Sequence, residues 1–104
     1  MKTIMVVDDE ASVLDNVKSC LEDDDFRVIT ADNNREALEL MEQNREDDEF
    51  GLILINSMTP GSNEPALFSM KPESKKDIDT SNEKDFLQKP FTKEQLIDFV
   101  KRKI

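Results

Sequence analysis

The chain contains no histidine. That absence removes Ser-His-Asp and Cys-His catalysis, histidine metal ligation and a phosphohistidine donor together. Cysteine occurs once, at Cys20, so no internal disulfide can form and a reducing, cytoplasmic setting is expected. Cys20 falls in a helical pattern beside Val17 and Leu21, where a small core residue is the ordinary reading. No apolar run approaches the length of a membrane span or a signal-peptide core. Positive charge is scarce: 14 Lys and Arg stand against 24 acids, a net charge of -10. A surface of that sign repels phosphate backbones and anionic lipid, which argues against nucleic-acid and membrane partners.

What is present fits one folded domain. Over 104 residues the hydrophobic and charged fractions are 37% each, a lean core, but its apolar residues come in organised blocks. The acidic clusters Glu22–Asp25 and Glu46–Glu49 read as solvated loops. Lys2 to Val7 is short, β-branched and apolar throughout, the pattern of a strand buried on both faces. Val13, Val17 and Leu21 recur at helical spacing over 11–22. Strands follow at 26–30 and 50–55, separated by a helix carrying Ala37, Leu38 and Met41 on one stripe. Asn33 with Glu36, and Thr92 with Gln95, have capping-box spacing. The order βαβαβ predicts a parallel sheet with helices on its faces.

After Asn56 the rhythm breaks. Residues 56–65 hold Pro60, Gly61 and Pro65 and favour turns over helix. Residues 66–70 predict a fourth strand. From Lys71 to Lys84 only Ile78 is large and apolar, so any helix there is short. Residues 85–88 predict a fifth strand, and Leu96, Phe99, Val100 and Ile104 a final helix.

Four polar signals stand near predicted strand ends: Asp8-Asp9, Asn56, Ser69 and Lys89. In open parallel sheets ligands bind beyond the carboxyl ends of the strands, so one shared pocket is expected. Adjacent carboxylates repel unless a cation joins them, and an all-oxygen set suits a hard cation such as Mg²⁺. The plainer reading of Asp8-Asp9 is a helix start, and of Ser69 a small polar residue near a strand end. Lys89 precedes Pro90, and the Lys-Pro junction is a candidate cis bond.

The segments VVDDE (6–10), LILINSMTP (52–60), PALFSM (65–70) and DFLQKPF (85–91) resemble, in that order, the receiver domain of two-component response regulators. Together with the helical patterns they cover nearly the whole chain. The resemblance implies a flavodoxin-like three-layer α/β/α sandwich with a five-stranded parallel sheet, order 2-1-3-4-5. It also implies that Asp8 and Asp9 bind metal and that the Met58 carbonyl completes the shell. Ser69 would sense the phosphoryl group, Lys89 would pair with it, and Phe86 would be the aromatic that swings as the signal passes.

Two departures qualify those expectations. Asn56 stands where the family has its phosphate-accepting aspartate, and an amide cannot form the acyl phosphate. As a neutral neighbour it relieves repulsion among the acids, so Mg²⁺ binding is expected to be weak or absent. The second departure is a missing helix between strands three and four, leaving about ten residues, the lower limit for a parallel crossover. Its loss would bare the aliphatic Leu52–Ile55, to be covered either by the loop 56–65 or by another protein, and predicts an interaction surface there, self-association included. The functional expectation is a stand-alone, non-enzymatic interaction module, since Ile104 closes the last helix, partnered by a sensor kinase, another regulator or an output protein. Alternatives are a phosphorelay receiver using a non-standard residue, Ser57 for example, and a Mg²⁺-dependent phosphohydrolase built on Asp77-Ile78-Asp79-Thr80.

Overall fold

The computed structural model describes residues 1–59, 61, 63–72 and 86–104. The strands are Thr3–Val7 (β1), Arg27–Ala31 (β2), Phe50–Met58 (β3), Pro65–Met70 (β4) and Phe86–Gln88 (β5). The helices among the described residues are Ala11–Asp23 (α1), Asn34–Gln43 (α2) and Lys93–Lys103 (α3). One five-stranded sheet has the order β2-β1-β3-β4-β5.

Alternation along the strands sorts the core into two layers. Ile4, Val6, Leu52, Leu54 and Leu67 face α1 and α3, meeting Val17, Leu21, Leu96 and Val100. Met5, Val7, Ile53, Ile55 and Met70 face α2, meeting Ala37 and Met41. Each such aliphatic side chain, fully buried, contributes about 1.5–3 kcal/mol.

Local chemistry sets the helix ends. Thr92 and Gln95 form the reciprocal capping box at the start of α3. At α2 the Asn33 side chain accepts from the Glu36 N–H, but Glu36 reaches back to the Asp32 N–H, so the box is only half closed. Helix α1 ends with Asp25 N–H donating to Glu22 O and Phe26 N–H to Leu21 O. This pairing turns the chain through a left-handed residue, here Asp25 at φ 67. The neighbouring acids are therefore not simply solvated loop: Asp23 pairs with Lys93 at 3.2 Å and Asp24 with Lys101 at 3.1 Å, tying α1 to α3. Such surface pairs are worth about 0–1 kcal/mol each.

The all-parallel sheet expected from the βαβαβ pattern is corrected beyond β3. Strands β1, β2 and β3 are parallel, but β4 runs antiparallel to β3, and β5 antiparallel to β4. For β4 the reason is chain length. β3 continues past Ile55 to Met58, leaving residues 59–64 as the connection, about half the dozen or more a parallel crossover needs. The chain turns back instead. Thr59 N–H donates to Glu64 O, Asn63 N–H to Thr59 O, and Glu64 N–H to the Thr59 hydroxyl. Gly61 at φ 84 and Asn63 at φ 55 supply the left-handed positions the turn demands.

The bare aliphatic face expected from the missing helix is also corrected. Among the described residues no helix separates β3 from β4, yet Leu52 to Ile55 are at most 4% exposed. The short helix expected after β4 and the Asp77–Thr80 motif lie outside the described residues. No helix among the described residues is long and apolar enough to cross a membrane.

Candidate functional site

Parallel strands bring their carboxyl ends to one edge, so β1 and β3 deliver their trailing residues side by side. Val7 of β1 pairs with Ile55 of β3, which sets Asp8 next to Asn56. Two successive reversals restore the original direction, so β5 ends at the same edge and presents Lys89. Leu67 pairs with both Asn56 and Leu87, so Asn56, Leu87 and Lys89 share the sheet face that Val6 and Asp8 also use.

The centre of the site is an ion pair. Asp8, with a side chain 0% exposed, accepts at Oδ2 from the Lys89 ammonium at 2.7 Å. Its Oδ1 accepts from the Glu10 N–H at 3.0 Å, and its own N–H donates to Ala31 O. A buried carboxylate without a counter-charge is expensive, and Lys89 supplies that charge. The Lys89-Pro90 peptide bond is cis, the geometry for which the Lys-Pro junction was a candidate. Lys89 N–H also donates to Pro65 O at 3.3 Å, anchoring it against the start of β4.

Asn56 is half-buried, and its Oδ1 is enclosed with no hydrogen-bond partner among the described residues. An unsatisfied buried acceptor costs about 1–3 kcal/mol. Asp9 and Glu10 are exposed, yet their carboxylates and that of Asp8 lie within 4.8 Å of one another. That spacing is close enough for one divalent cation to touch all three. Sequence reading gave Glu10 no role, although it directly follows the acidic pair.

Pro65 O accepts from the Lys89 N–H, so the Pro65 backbone faces β5, and Met58 and Pro65 are a non-hydrogen-bonded pair of β3 and β4. The Met58 backbone groups then point away from β4, toward the side of the acidic turn, while its side chain is exposed.

Two of the expected residues are not brought here. Ser69 pairs with Leu54, two residues before Asn56, and so lies about 7 Å back from the strand tips, buried in the core. Reversal of β4 is the cause, because its carboxyl end points away from the site. Phe86 pairs with Phe68 on the α2 side of the sheet, their ring centroids 5.0 Å apart and tilted by 31°.

A cation at this site faces a conflict. The spacing of Asp8, Asp9 and Glu10 could hold a divalent cation, but Asp8 is already paired with the Lys89 ammonium, which offsets its charge. No family model matches the sequence, and no solved structure matches the fold.

Proposed function

We propose that the chain is an atypical, receiver-like module of two-component signalling that acts by binding protein partners without aspartyl phosphorylation. On this reading the domain is flavodoxin-like, with the β3–β4 hairpin replacing one crossover. The observation that carries it is the place of Asn56 in β3: it follows Ile55, the partner of Val7, as Asp8 of the buried Asp8–Lys89 pair follows Val7, and the resemblance puts the accepting aspartate there. Forming an acyl phosphate requires a carboxylate oxygen as nucleophile, and a neutral amide offers none. Ser57 is a poor substitute, since it lies on the opposite sheet face, paired with Ala66, and the chain has no histidine to activate it.

The module catalyses no reaction of its own. Its partners are a sensor kinase, another regulator or an output protein, with self-association as a further form, and its setting is the cytoplasm. Incubating the native chain and Asn56→Asp with a small acyl-phosphate donor and Mg²⁺, then weighing both intact, tests the reading. A phosphoryl adduct is expected on the variant alone. An adduct on the native chain contradicts it.

A further inference from the structure

We infer that Lys89 is a built-in counter-cation, its ammonium taking the place at Asp8 that a metal ion would take and its side chain strapping the site shut. The displaced ion is named from the receiver-like reading, on which this inference rests. The geometry stands on its own.

Strands β3 and β4 lie between β5 and β1. To reach Asp8, the Lys89 side chain must therefore span the β3 and β4 positions of the sheet, on the face that Asn56 shares. Asn56 Oδ1 has no partner among the described residues, while the ammonium closes at 2.7 Å on Asp8. Charge explains the choice, because the carboxylate adds a Coulomb attraction to the ammonium that a neutral amide oxygen lacks. With a carboxylate at 56, the ammonium would have an anionic partner nearer to β5. The neutral amide leaves Asp8 as the buried anion within reach.

The consequence is competition. Lys89 holds Asp8 Oδ2 and the Glu10 N–H donates to Oδ1, so a divalent cation at Asp8 meets a carboxylate whose charge the ammonium already offsets. Placing the ion beside an undisplaced ammonium would set two positive charges together. Asp9 and Glu10 remain exposed to water and offer only a loose, solvated pair of acids.

Isothermal titration with Mg²⁺ alone into the native chain, Lys89→Met and Asn56→Asp tests the strap. The native chain is expected to show no saturation up to about 10 mM, and Lys89→Met to bind at least about tenfold more tightly. Asn56→Asp is expected to move in the same direction, because its new carboxylate draws the ammonium off Asp8. Native binding as tight as that of Lys89→Met overturns the inference. Should Lys89→Met not fold, NMR of the native chain decides: the Lys89 ammonium signal, protected from exchange, is expected to persist through the titration. Its loss at the first additions of Mg²⁺ overturns the strap. A phosphoryl adduct on the native chain would instead sink the receiver-like reading, and each failure is visible without the other.

Discussion

The molecule has two regions that solve the same problem differently. From β1 to β3, connections long enough for a helix return the chain to the same end of the sheet, and all three strands run one way. Between β3 and β4, residues 59–64 are too few for that and the chain reverses, and β5 reverses again against β4. Both regions reach the core: Leu54 in β3 and Leu67 in β4 are each 0% exposed. Their contributions to the site are unequal, however. The parallel region points its carboxyl ends, and so Asp8 and Asn56, at the mouth. In the reversed region β4 contributes its amino end, and only the second reversal returns a useful side chain, Lys89. The length of the β3–β4 connection thus decides that the amino end of β4, and not Ser69, lies near the site.

The largest effect expected from this comparison is in the core. Leu67→Ala should cost about 2–5 kcal/mol, as Leu54→Ala should, because both leave a cavity among α1, α3 and the sheet. Urea unfolding measures both. A cost near zero at Leu67 alone would make β4 a loose addition to a three-stranded core.

How much of this was legible in the sequence differs between the regions for the same reason. β1, the helical stripe of α1 and the caps at Asn33 and Thr92 are local signals, read correctly from neighbours in the chain. Asp8, Asn56 and Lys89 were legible because strand ends are marked by a change from apolar to polar. The direction of β4 was not. Burial and alternation at residues 66–70 are the same for a strand running either way, and direction is set by the connection before it. The end of β3 lies beyond the apolar run, because strand pairing uses backbone groups and continues through the polar Asn56 and Ser57 to Met58. The choice of Asp8 as Lys89's partner is a tertiary event across two intervening strands, with no trace in local pattern.

A smaller effect, of opposite sign, sharpens the contrast between connections. The reversed region places glycine at one of its left-handed positions, whereas the α1–β2 connection places Asp25 there at φ 67. Asp25→Gly should therefore stabilise the chain by about 1 kcal/mol, read as a raised urea midpoint with an unchanged slope. A lower midpoint would mean that Asp25 makes a compensating contact through its side chain.

The direction of β4 is the claim on which site and fold both depend, and backbone NMR tests it most directly. Asn56 and Leu67 form a close antiparallel pair, so a contact between their Hα protons is expected, with none linking Ser69 to Asp8 or Lys89. A parallel pattern across β3 and β4, bringing Ser69 to the mouth beside Lys89, would contradict the account.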